Sequence, residues 1–148
     1  MTRVALDSNI LIRAELEPDS EKGTRGIDLV LRSARNGVIP LQVLGEDLRF
    51  IQRRVPSAFE DAVRQVHVYE AAFLTPPTTV AVIDAACALA RVHRLQLWDC
   101  VVCAASMQAG AKVLLTEDMQ DGRTLDSLRL INPFHAGNLA TIESLLGG

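Results

Sequence analysis

The chain has 148 residues, 49% of them hydrophobic and only 4% aromatic, with a formal net charge of −3. That composition supports one domain, 1–148, burying somewhat over half of its unfolded surface, and it excludes disordered and linker-rich classes. The acidic balance excludes a strong, indiscriminate nucleic-acid binder, so a nucleic-acid substrate would need a metal ion or a local arginine cluster to supply positive charge.

The elements follow in order. Thr2-Arg3-Val4-Ala5-Leu6 is a short apolar run ending abruptly in Asp7-Ser8-Asn9, which reads as a buried strand delivering Asp7 to the carboxyl edge of a sheet. Read locally, Asp7, Ser8 or Asn9 instead caps the helix that follows over residues 10–15. Residues 17–23 are a polar loop with turn chemistry. Residues 24–36 carry Ile27, Val30, Leu31 and Ala34 at helical spacing, and Asn36-Gly37 suits a left-handed stop. Val38-Ile39-Pro40 forms a brief second strand that the proline confines to an end position.

Leu41–Arg54 is a helix with Leu44, Leu48 and Ile51 on one face. Glu46 lies about 200° from Leu44 and off that stripe, as solvated surface glutamates do. Further helices are expected over 58–72, 79–93 and 98–109, the last ending at Gly110. Lys112-Val113-Leu114-Leu115 is a compact apolar run that suits a buried parallel strand. It ends in Thr116-Glu117-Asp118, repeating the opening pattern of strand followed by acid. Leu128–Ile131 is a last strand and Leu139–Leu146 a tail helix. Strands at both ends with helices between imply crossovers, hence an α/β fold: a small central parallel sheet flanked by helices on both faces.

Three cysteines, Cys87, Cys100 and Cys103, lie in apolar helical context, which points to a reducing compartment instead of a disulfide scaffold. No leader pattern precedes the first strand. Arg91, His93 and Arg94 interrupt the longest apolar run before it could span a bilayer, so no membrane partner is expected. The expectation is a soluble, cytoplasmic protein.

Asp7 and Asp118 thus fall at the carboxyl ends of two predicted parallel strands. Asp99 sits just inside the start of an apolar helix, where its own dipole would favour it. Acids gathered in one pocket repel each other unless a cation sits between them. Mg²⁺ and Mn²⁺ are hard ions that take carboxylate oxygens and retain waters for a phosphate substrate.

Five segments carry a resemblance: Leu6-Asp7-Ser8-Asn9-Ile10-Leu11, Gln42-Val43-Leu44-Gly45-Glu46, Trp98-Asp99, Leu114-Leu115-Thr116-Glu117-Asp118-Met119-Gln120-Asp121-Gly122 and Ile131-Asn132-Pro133-Phe134. In this order they resemble the PIN-domain proteins, and among them the VapC-type toxins of bacterial toxin–antitoxin pairs. The resemblance implies a metal-dependent endoribonuclease whose four acids are Asp7, Glu46, Asp99 and Asp118. It implies Mg²⁺, with Mn²⁺ an alternative, held chiefly by Asp7 and Asp99, with Glu46 and Asp118 acting through water or a second ion. Asn9 and Thr116 match positions that support the site by hydrogen bonds. Asp121 is a further carboxylate or simply a loop acid. The implied partners are RNA, a cognate antitoxin and a second copy of the chain.

Other patterns carry less. Cys100-Val101-Val102-Cys103 has redox or zinc spacing but lies inside an apolar helix without a second pair. His67, His93 and His135 are scattered, Ser106 lacks nucleophile-elbow glycines, and Gly23-Thr24-Arg25-Gly26 is too short for a phosphate loop. Arg49, Arg53 and Arg54 cluster on the helix of Glu46, facing either solvent or an anionic partner. Two competing functions remain: a catalytically silent binding module on the same fold, and a receiver-like phosphoacceptor domain. The acid quartet argues against the first. The second needs a lysine near a late strand end, whereas Lys112 begins its strand.

Overall fold

The computed structural model describes residues 2–147. Strand β1 (Val4–Leu6) pairs in parallel with β2 (Gly37–Val38) on one side and β3 (Val113–Leu115) on the other. Strand β3 pairs in parallel with β5 (Leu128–Ile131), and β4 (Thr124–Leu125) adds an antiparallel edge, giving the order β2-β1-β3-β5-β4. Every residue of β1 and β3 is buried. Strands covered on both faces need such unbroken apolar runs, which is why both lack alternation. Leu6, Leu115 and Ile131 are level with one another. The ladder continues one residue further through Asp7 N–H to the Leu115 carbonyl and Thr116 N–H to the Ile131 carbonyl, each 3.0 Å. Asp7 and Thr116 therefore leave the sheet side by side.

The helices are α1 (Ser8–Leu16), α2 (Glu21–Ser33), α3 (Leu41–Arg54), α4 (Phe59–Ala72), α5 (Val80–His93), α6 (Leu97–Gln108) and α7 (Leu139–Leu146). Helix α1 packs on α2 and α3, α3 on α4, and α5 on α6. Helix α2 begins earlier than the sequence pattern indicates, because Ser20 accepts the Gly23 N–H and draws the end of the polar loop into its first turn. A Cβ at Gly23 would collide with the Glu17 carbonyl, and one at Gly26 would stand 3.1 Å from the Ile10 carbonyl. The glycines of Gly23-Thr24-Arg25-Gly26 are thus helix-contact glycines.

Gly37 is not the expected left-handed stop: it has no positive φ and opens β2. A Cβ there would collide with the Ser33 carbonyl and approach the Phe73 ring to 2.6 Å, so close packing excludes a side chain. The β4–β5 hairpin was not foreseen. Its turn places Asp126 in the left-handed region at φ 53°, a conformation aspartate tolerates without the glycine that signals a hairpin. Among the described residues no helix is long and apolar enough to cross a membrane.

The core holds one unanticipated charged cluster. Asp47 of α3 is fully buried, and the Tyr69 hydroxyl donates to Glu15 Oε2 at 3.2 Å. Burial pushes both Glu15 and Asp47 upward, and the charge of Asp47 pushes Glu15 further. Neither Asp47 oxygen nor Glu15 Oε1 has a hydrogen-bond partner, so burial drives both carboxyls toward their protonated forms. Such groups stabilise the fold only while protonated, and the contribution fades as pH rises through their folded values. Asp47→Asn removes a buried charge and is expected to stabilise the protein by about 1–2 kcal/mol at pH 8, with little effect near pH 4. Urea unfolding at the two pH values checks this.

Candidate metal centre

Asp7 ends β1 and caps α1, its Oδ1 accepting the Ser8 N–H at 2.8 Å. The other oxygen, Oδ2, accepts the Thr116 hydroxyl at 2.8 Å. Asn9 Nδ2 ties the two strand ends together, donating to Thr116 Oγ1 at 3.2 Å and Asp118 Oδ2 at 3.1 Å. Its Oδ1 accepts the Glu117 N–H at 3.1 Å, while Thr116 Oγ1 accepts the Asp118 N–H at 3.3 Å. Asp7, Asn9 and Thr116 are all buried. The capping reading of Asp7 therefore holds for one oxygen, while the other is turned toward Thr116 on the neighbouring strand end.

Thr116→Val would strip Asp7 of a buried donor and leave Asn9 Nδ2 and the Asp118 N–H short of an acceptor. A stability loss of about 1–3 kcal/mol is expected. The Asp7 carboxyl should also titrate higher, which carboxyl-carbon NMR reads directly.

Helices α3 and α6 bring the other two acids. Glu46 is not the solvated residue that its angle from Leu44 indicates: it is half-buried, and its Oε1 is enclosed without a hydrogen-bond partner. The helix reading failed because α3 is packed on more than one side, by α1, α4 and α6. Asp99 lies in the first turn of α6, but Gln96 provides the cap, its Oε1 accepting the Asp99 N–H at 3.0 Å. The carboxylate of Asp99 is thus free to face the other acids. Glu46, Asp99 and Asp118 border one depression, and Glu46 and Asp118 also border a second beside Asn9.

The electrostatics record the convergence. Burial raises Asp7 to about 6 against the opposing Ser8 and Thr116 hydrogen bonds, helped by the charges of Asp99 and Asp118. Burial first, then Asp7, Asp99 and Asp118, raises Glu46 to about 7. Burial and the charge of Asp118 raise Asp99. Each of these carboxyls would be relieved by a cation. Among the described residues, no three acid, imidazole or thiol groups close a coordination shell unaided. What the residues offer is an all-oxygen, net-negative donor set with an unpartnered Glu46 oxygen. It fits a hard divalent ion that keeps several waters better than an all-protein cage.

The sequence profile of the PIN domain matches residues 4–120. The chain belongs to the PIN-domain family. No individual curated protein matches it in sequence. Among solved structures, a toxin–antitoxin complex from Klebsiella pneumoniae is 17% identical with a TM-score of 0.67, covering 89% of this chain and 98% of that one. VapC20 of Mycobacterium tuberculosis, a Sarcin-Ricin-loop-cleaving toxin, is 13% identical with a TM-score of 0.65, covering 78% and 89%. DNA-bound VapBC from Salmonella typhimurium is 14% identical with a TM-score of 0.65, covering 88% and 97%. At such identities the likeness establishes the α/β fold and leaves activity to be argued from the site.

Several acids and nucleophiles of this PIN domain are engaged elsewhere. Burial opposes it, but hydrogen bonds from Lys22 and Arg13, at 2.9 and 3.0 Å, hold Glu117 below the usual range. Asp121 accepts the Asn132 N–H at 2.9 Å and the Asn138 amide at 3.0 Å, so it braces the loop after β5. Cys100 and Cys103 are buried free thiols, and burial pushes Cys103 strongly upward. Ser106 donates to the Val102 carbonyl from full burial. None of the three histidines borders either acidic depression. Lys112 lies immediately before β3, at the end away from the acids, which removes the lysine a receiver-like mechanism requires.

Proposed function

We propose that this PIN domain is a Mg²⁺-dependent endoribonuclease acting as the toxin of a type II toxin–antitoxin pair. The observation that carries the reading is the arrival of Asp7, Glu46, Asp99 and Asp118, from four separate elements, at one edge of the sheet. Asp7 and Asp99 would hold the ion directly, with Glu46 and Asp118 reaching it through water; Mn²⁺ would fit the same donors. When bound, the ion supplies an acidified water and neutralises charge at the scissile phosphate.

The chain's own residues do the rest. Thr116 and Asn9 hold the Asp7 and Asp118 carboxylates against their mutual repulsion. Glu46 Oε1, unpartnered and on a carboxyl raised to about 7, is placed to take up a proton near neutral pH. The toxin role draws support from the matched structures, of which one is a toxin–antitoxin complex and another a DNA-bound VapBC. An antitoxin segment covering the acids, and pairing of two copies, belong to the same proposal.

The test is cleavage of a panel of purified structured RNAs with millimolar Mg²⁺ and with excess chelator. Endonucleolytic cuts that appear only with metal support the reading. Cuts that persist undiminished in chelator sink the metal mechanism. The open coordination shell favours one competing reading, a binding module without catalysis. Metal and RNA binding without any cleavage would establish that alternative.

A further inference from the structure

Beside the acids lies a surface that the nuclease reading leaves unused. On α3, Arg49, Phe50, Arg53 and Arg54 follow Glu46 by three, four, seven and eight residues and so share its side of the helix. A depression of about 550 Å³ borders all four together with Glu46 and Asp118. The Arg54 guanidinium lies over the Phe50 ring, 5.5 Å from its centroid, and Phe50 is 37% exposed. Among the described residues, none of these three arginines has a carboxylate partner. Glu17 and Glu117 border the same depression, but Arg13 and Lys22 pair with them, which leaves the three arginines as its unpaired positive charge beside Glu46 and Asp118. The alternative of a plain solvated helix face leaves the exposed aromatic unexplained.

A second depression, of about 860 Å³, is bordered by Asp99 as well as by residues of the first. Glu46, Arg49 and Asp118 border both. Trp98, the only tryptophan of the chain, lines the second with 47% of its surface exposed, next to Gln42 and Gln96. Gly45 lies at its border in mid-helix, where a Cβ would meet nothing within 4 Å. No packing contact demands a glycine there; the bare backbone leaves room for a chain to lie close to α3.

We propose that the two depressions form one track for unpaired RNA, in which Phe50 and Trp98 each stack a base on either side of the acids while Arg49 and Arg53 hold phosphates. The inference rests on the ribonuclease reading and deepens it by naming the side chains of this chain that hold bases and phosphates on the two flanks of the acids. Stacking on an aromatic ring is sequence-tolerant, because every base has a π-face, so the platforms select unpaired structure before sequence.

The test uses the full chain in chelator at low ionic strength, where binding is read without cleavage. A short oligoadenylate should quench Trp98 fluorescence, and the same strand paired with oligouridylate should not. Phe50→Leu and Trp98→Leu, followed by anisotropy of labelled oligoadenylate, should each weaken binding about tenfold. Phe50→Tyr and Trp98→Phe should restore it. Wild-type affinity in both leucine variants, or equal affinity for duplex and single strand, would overturn the proposal. So would an acidic peptide that quenches Trp98 where oligoadenylate does not, which would assign the surface to a protein segment. The two readings fail separately. Metal-dependent cleavage with unaltered binding in the leucine variants removes the track and keeps the nuclease. Stacking by a wild-type chain that never cleaves removes the nuclease and keeps the track.

Discussion

Asp99→Asn is expected to lower Mg²⁺-dependent RNA cleavage about a thousandfold or more while leaving the fold intact. The size follows from the several kcal/mol of charge stabilisation that a bound metal contributes, at a factor of ten per 1.36 kcal/mol. The fold should survive because the first turn of α6 depends on Gln96 for its cap and not on the Asp99 carboxylate. Asparagine has the same shape and removes one of the charges that repel Asp7 and Glu46. Asp7→Asn should cost as much activity, and its structural cost should be small. The amide oxygen can still accept from Ser8 or Thr116, the two donors that Asp7 now serves. Calorimetric titration with Mg²⁺ separates lost metal binding from lost chemistry. Full-rate cleavage by Asp99→Asn would contradict the assignment of Asp99 as a direct ligand.

The fold was largely legible because β1 and β3 are unbroken apolar runs, each ending in a polar residue, and because the helices between them force parallel pairing. The β4–β5 hairpin was not, since its turn uses Asp126 in place of a glycine. Within the site, Asp7 and Asp118 announce themselves as acids at strand ends. Glu46 does not: its position off the Leu44 stripe mattered less than the packing of α3 by three other helices, which no single-helix pattern contains. Asp47 was missed for the same reason. Full burial of an aspartate depends on a partner carboxyl, Glu15, that lies on another helix. The roles of Asn9 and Thr116 followed from the resemblance, but their joint geometry emerges only when β1 and β3 are level.

Without metal, the protein should become less stable as pH rises from about 4.5 to 8, the reverse of an ordinary acid-labile domain. Asp7 and Glu46 both bind protons more tightly folded than unfolded, moving from 3.8 to about 6 and from 4.5 to about 7, chiefly through burial, and the core carboxyls Glu15 and Asp47 act in the same sense. A carboxyl raised by folding contributes its full stabilisation below its unfolded value and loses it as pH climbs through its folded value. For the buried Asp7, that displacement is worth roughly 3 kcal/mol between the two limits. Glu117 and Asp121 are lowered and so act in the opposite sense, but they titrate at more acidic pH. Mg²⁺ binds the deprotonated carboxylates and should reverse the slope, so stability then rises toward pH 8. Asp7→Asn should flatten the metal-free decline in its lower half and blunt the rescue by Mg²⁺. Thermal or urea midpoints at pH 5, 6.5 and 8, with chelator and with Mg²⁺, measure all of these effects. A Glu15→Gln, Asp47→Asn background removes the core carboxyls of the same sign. There, a flat or rising midpoint in chelator would mean that water already solvates Asp7 and Glu46, and the physical case for a cation beside them would fail.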